Sequence, residues 1–135
     1  MLISHTNFFP LPKVVDRMDT RYRTHNELVN RILVLLHSHN LGRFWSNPTG
    51  AVKTANGHFQ RYGLVGSSDI IGISSKGIFT AIEIKTGETS IQSKHQKNFE
   101  KMIKSNHGYY FLIRSEEQFN IISEVLNGNV TIRTI

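Results

Sequence analysis

The chain has 135 residues, with sixteen lysines and arginines against ten aspartates and glutamates, a formal charge of +6, and no cysteine. That length suits one domain with one core, and the lack of thiols excludes disulfides, thiolate metal sites and thiol nucleophiles, leaving carboxylates, histidines and carbonyls to bind any metal. No apolar run approaches the ~20 residues that span a bilayer and no basic-then-apolar leader opens the chain, so a soluble cytoplasmic protein is expected. Its basic balance favours a polyanionic partner, nucleic acid ahead of an acidic membrane surface.

Residues 1–23 hold two of the three prolines and read as an N-terminal arm of low regularity. Their apolar Phe8, Phe9, Leu11, Val14 and Val15 make the arm a candidate contact between two copies of the chain. Residues 24–135 read as the domain proper. Thr24-His25-Asn26-Glu27 has the form of a capping box, and Leu28, Ile32, Leu35 and Leu36 follow at helical spacing, so a buried first helix should run to about Asn40–Gly42. A short strand is expected around Phe44 and Trp45. A long loop follows, with turn signals at Asn47-Pro48 and Asn56-Gly57, and loops of that length often carry function.

Segments 68–74, "SDIIGIS", and 77–85, "GIFTAIEIK", predict a β-hairpin turning at Ser75-Lys76-Gly77. A second helix opens at Ser90 or Ser93 and ends at Asn106-His107-Gly108, with Ile91, Phe99, Met102 and Ile103 inward. "YYFLI" then reads as a buried strand, Ser115 to Leu126 as a third helix, and "NVTIRTI" as a closing strand. The sum is an α/β chain with a central mixed sheet flanked by helices.

Within the hairpin, Glu83 and Lys85 are two apart on a strand and share one face, while Ile82 and Ile84 occupy the other. Pairing across Lys76-Gly77 brings Asp69 beside Glu83. Two carboxylates in one apolar place repel unless one takes a proton or a cation neutralises both, and Mg²⁺ binds through one or two carboxylates with water and phosphate oxygens. An ammonium at Lys85 would then face a phosphate under attack. The competing reading is an ion pair at a sheet edge with Asp69 as a turn residue, an arrangement that contributes only ~0–1 kcal/mol when exposed.

Written as a pattern, "GSSDIIGI" and "GIFTAIEIKTGETSIQSKHQ" give G-x-x-D, a spacer, E-x-K and a glutamine on the next helix. This resembles the PD-(D/E)XK nuclease superfamily, and within it the VRR-NUC (virus-type replication-repair nuclease) domain in its stand-alone phage or bacterial form, over about Glu27 to Phe119. Ser68 stands where the superfamily name has proline. The resemblance implies a restriction-endonuclease-like fold and a Mg²⁺- or Mn²⁺-dependent DNA endonuclease leaving 5′-phosphates. It implies Asp69, Glu83 and the Ile84 carbonyl as metal ligands, Lys85 as the catalytic lysine, Gln96 as an orienting or phosphate-contacting residue and Glu27 as a helical acid near the metal. Glu27 and Gln96 each also fit the third position of a capping box, and both readings stand. Stand-alone relatives suggest a homodimer acting on branched or four-way-junction DNA in repair or recombination. A non-cleaving nucleic-acid-binding module on the same fold is the alternative.

Beyond that set, Lys94, Lys97, Lys101 and Lys104 fall along one helical face, fit either to follow a DNA backbone or to be solvated. Arg61, just ahead of the Asp69 strand, and Lys53 are candidate phosphate contacts. Among the seven histidines, His37 and His39 do not face each other on a helix, and no histidine metal site is expected. Trp45, Phe44, Tyr62, Tyr109 and Tyr110 suit base stacking or the core.

Overall fold

The computed structural model describes residues 24–128. The N-terminal arm with its expected dimer contact and the expected closing strand over 129–135 lie outside the described residues. The first helix, α1 (His25–Ser38), starts where the capping box predicts: Glu27 N donates to Thr24 Oγ1 and Thr24 N to Glu27 Oε1. It buries Leu28, Val29, Ile32, Leu35 and Leu36 on one face, the spacing of an amphipathic helix on a sheet.

Five strands follow where three were expected: β1 (Gly42–Ser46), β2 (Gly50–Lys53), β3 (Phe59–Tyr62), β4 (Ile70–Ser74) and β5 (Phe79–Ile84). Strands β2 and β3 form a separate antiparallel ribbon turning at the Asn56-Gly57 signal. The central sheet has the order β1-β4-β5-β6, where β6 is Tyr109–Ile113. Strands β1, β4 and β5 are antiparallel neighbours, and β6 runs parallel to β5 after the crossover that a parallel pair requires. That crossover is α2 (Lys94–Ser105), capped by Ser93 rather than Ser90. A 3₁₀ turn (Glu116–Gln118) then leads into α3 (Phe119–Leu126), so the predicted third helix is split at its start.

The sheet is mixed and covered on both faces. On one side Ile70, Ile82, Ile84, Phe111 and Ile113 pack with α1 and α3 in the main core. Arg31 Nε of α1, 3.1 Å from Glu116 Oε2, ties that helix to the 3₁₀ turn, and a ring contact between His39, at the end of α1, and Phe119 ties it to α3. On the other side Ala81 and Tyr110 meet Phe99 and Ile103 of α2, with Ile71 and Leu112 beside them. Strand β5 is therefore enclosed from above and below, and all its residues from Thr80 to Ile84 are buried. Each large aliphatic side chain so buried contributes ~1.5–3 kcal/mol. Among the described residues no helix is long and apolar enough to cross a membrane.

Candidate functional site

The most enclosed strand carries a carboxylate. Glu83 is 3% exposed, and alternation along β5 turns it, with Ala81 and Lys85, to the α2 side of the sheet. The hairpin register pairs Ile70 with Ile82, so the next step outward sets Asp69 opposite Glu83. Both carboxylates thus arrive at one end of the sheet on neighbouring strands, as the hairpin reading predicts.

Each is held by a different part of the chain. Asp69 Oδ2 accepts the Ile84 backbone N–H at 2.8 Å, and His25 Nε2 of the first turn of α1 stands 3.3 Å away. The N–H and C=O of one strand residue leave along the same edge, so the Ile84 carbonyl also faces the Asp69 side. Glu83 Oε2 accepts from Gln96 Nε2 at 2.8 Å and lies 3.6 Å from Lys85 Nζ. The Lys85 side chain is only 14% exposed and that of Asp69 26%, so the pair opens to solvent chiefly through Asp69. Burial, and then the neighbouring Asp69 charge, push the Glu83 carboxyl up to about 7, against the pull of Lys85 and His25. At neutral pH an unneutralised Glu83 is therefore poised between its two forms.

Gln96 forms its capping box and also reaches the carboxylate. Its Oε1 accepts from Ser93 N in the capping box that begins α2, and its Nε2 reaches Glu83. The helix end is seated here by a close backbone approach: Gly66 has φ +86°, and a Cβ added to it would stand 2.5 Å from the His95 carbonyl oxygen. The loop before Asp69 thus lies directly on the start of α2. Glu27 closes the α1 capping box through Oε1, the capping reading of its position. Among the described residues no three Asp, Glu or His side chains gather as a ligand set. A cation here would rest on Asp69, Glu83 and the Ile84 carbonyl, completed by water and phosphate oxygens. That is an all-oxygen set with few carboxylates, and it fits Mg²⁺ or Mn²⁺.

The basic candidates divide in two. Lys94 and Lys97 are exposed on the first turns of α2, beside Gln96, and Lys101 continues the stripe. Lys104 departs from it by bonding Glu100 at 2.6 Å. Lys53 and Arg61 lie on the exposed β2–β3 ribbon. The aromatic candidates divide as well: Phe44 and Tyr110 are core, whereas Trp45, 48% exposed, lies on the site's face of the sheet opposite Ile71.

His25 is the site residue that sequence reasoning missed. Its partner is far along the chain, and nothing local to the capping box announces it. A cavity of about 370 Å³ on the same sheet face, lined by Leu64, Ile71, Phe79, Phe99 and Met102 among others, is apolar and does not include the carboxylates. The chain matches no protein-family model and no curated protein sequence.

Proposed function

We propose that this chain is a divalent-metal-dependent DNA endonuclease of the PD-(D/E)XK kind, resembling the stand-alone VRR-NUC domain. One observation carries the reading: a carboxylate in the most buried strand is flanked by a lysine of its own segment and by a second carboxylate and a glutamine from two others, all turned to one spot. The order α1, then β1, β4 and β5 as an antiparallel run, then α2 crossing to a parallel β6, supports the restriction-endonuclease-like core that this reading requires.

In this reading Asp69, Glu83 and the Ile84 carbonyl hold Mg²⁺ or Mn²⁺. When bound, the ion supplies positive charge against a phosphodiester and a water of lowered pKa. Gln96 fixes the rotamer of Glu83, and the Ile84 N–H and His25 fix that of Asp69, so the ligands are ordered before substrate arrives. Lys85, on the face of Glu83, orients the attacking water and offsets the charge that grows on the phosphate. Attack in line with the leaving 3′ oxygen leaves a 5′-phosphate. Two copies in a homodimer would present two such sites, which suits a branched or four-way-junction substrate in repair or recombination.

A second reading, a nucleic-acid-binding module that does not cut, draws on the same hydrogen bonds. Asp69 Oδ2 and Glu83 Oε2 already have protein partners, as in a polar network that only stiffens a fold. Incubation with supercoiled, linear and four-way-junction DNA in Mg²⁺ or Mn²⁺ separates the two. The nuclease cleaves at least one of them and leaves 5′-phosphate ends; intact DNA in every case favours the binder.

A further inference from the structure

We propose that the β2–β3 ribbon is an arm that lies in the major groove of duplex DNA and delivers a strand to the Asp69–Glu83 site at its base, an inference that rests on DNA being the partner. Among the described residues no layer covers the two strands, all eight of whose residues are exposed, and a two-stranded ribbon left so is marginal in water. Its faces differ in kind. The register sets Ala51 opposite Arg61 and Lys53 opposite Phe59, so Lys53, Phe59 and Arg61 share one face, two cations flanking an aromatic ring that is 76% exposed. The other face carries Val52, Gln60 and Tyr62 and no charge. Tyr62 lies across Gly50, where an added Cβ would meet its hydroxyl at 2.7 Å.

Charge and dimensions choose the occupant. The sequence has no carboxylate between Glu27 and Asp69, so the arm offers a polyanion two cations and no repulsion. A two-stranded ribbon is one of the elements that the major groove, ~12 Å wide, admits, and four paired residues per strand extend ~13 Å. Lys53 and Arg61 then neutralise phosphates along the groove walls, and Phe59 meets base edges between them.

The base of the arm is fixed to the site. Asn47 N donates to the Asp69 carbonyl at 2.7 Å, and Asn47 Nδ2 donates to Ser67 Oγ and to the Ser68 carbonyl. The residue that anchors the arm is thereby bonded to the residue that brings the first carboxylate. Trp45 stands on the site's face two residues before that anchor.

The test reads binding by fluorescence anisotropy in EDTA, where nothing is cut, with a blunt duplex and its isolated strand over a range of salt. The arm predicts that the full chain prefers the duplex. It further predicts that Lys53→Gln with Arg61→Gln weakens duplex binding about 10-fold or more, lessens the slope of log K against log salt by about 2, and erases the preference. A photo-reactive benzoylphenylalanine in place of Phe59 should crosslink to the duplex. Unchanged affinity and slope in the double variant, no binding of duplex by the natural sequence, or a crosslink only to a second copy of the chain would each overturn the proposal. Because the readout needs no divalent cation, weakened binding beside a natural chain that never cleaves sinks the nuclease alone. Cleavage with undiminished binding by the double variant sinks the arm alone.

Discussion

Strand β5 and the β2–β3 ribbon break the usual partition of residues in opposite directions. Strand β5 buries a carboxylate at 3% exposure, whereas the ribbon leaves Phe59 at 76% and Val52 at 51% in water. A buried charge and an exposed aromatic are the two observations that a rule of apolar inside and polar outside makes informative. In β5 the departure is compensated from within, by Gln96 and Lys85 on Glu83. In the ribbon nothing within the described fold covers the side chains. On the proposed reading the first is organised for chemistry before any partner arrives, and the second is completed by a partner.

The sharpest way to test that division is to alter one side and read the other. Lys85→Ala and Glu83→Gln should each lower the cleavage rate at least ~10³-fold, about 4 kcal/mol of transition-state stabilisation, while duplex affinity in EDTA stays within about 3-fold of the natural chain. Cleavage assays with anisotropy on the same samples check this, and retained cutting in either variant breaks the assignment of β5. For stability the same strand is expected to dominate: Ile82, fully buried, should cost ~2–5 kcal/mol on truncation to Ala in urea denaturation.

Glu83 also makes the metal-free protein sensitive to pH. Its carboxyl is raised from 4.5 to about 7, so below pH 4.5 folded and unfolded chains both hold the proton. Between 4.5 and 7 the folded chain alone holds it, and stability falls as pH rises through that window by up to about 3 kcal/mol. Glu83→Gln should flatten this slope. A cation on Asp69 and Glu83 replaces the proton, so Mg²⁺ should raise the melting temperature more at pH 8 than at pH 5. A Mg²⁺ effect equal at both, or absent, would count against the carboxylate pair as ligands.

Much of β5 and its surroundings could be read from the chain alone, because local patterns fix them. Thr24 and Ser93 announce their helices through capping boxes that both form, and the turn at Ser75-Lys76-Gly77 sets the register that aligns Asp69 with Glu83. The ribbon was not legible as strands. "GAVK" and "FQRY" face no core, so no alternation of apolar and polar residues was imposed on them, and only the Asn56-Gly57 turn signal survived. His25 was hidden for another reason: its approach to Asp69 is made by the packing of α1 on the sheet, which no spacing within one helix encodes. Gln96 had two readings because one amide has two ends, and the structure uses both.

That double use gives a smaller test. Ser93→Ala and Thr24→Ala each remove one N-cap and should each cost ~1 kcal/mol in chemical denaturation. Ser93→Ala loosens a residue bonded to Glu83, whereas Thr24→Ala loosens the turn that sets His25 beside Asp69, a carboxylate that also keeps the Ile84 N–H. Ser93→Ala should therefore slow cleavage the more, several-fold, once both are assayed well below their melting temperatures. Equal cleavage rates would mean that Gln96 holds Glu83 without help from its cap.

The smallest expected effect lies on the ribbon itself. Val52→Ala and Phe59→Ala remove apolar groups from side chains that are already in water, so unfolding should change by no more than about 0.5 kcal/mol, against the several expected at Ile82. This near-silence separates an arm from a packing element, because an apolar group costs stability on removal only if folding had taken it out of solvent. Urea titrations of both variants over a range of protein concentrations decide it. A loss of 2 kcal/mol or more that shrinks on dilution would mean that a second copy already covers the ribbon, and the contrast with β5 would then lie between two interiors rather than between an interior and a surface.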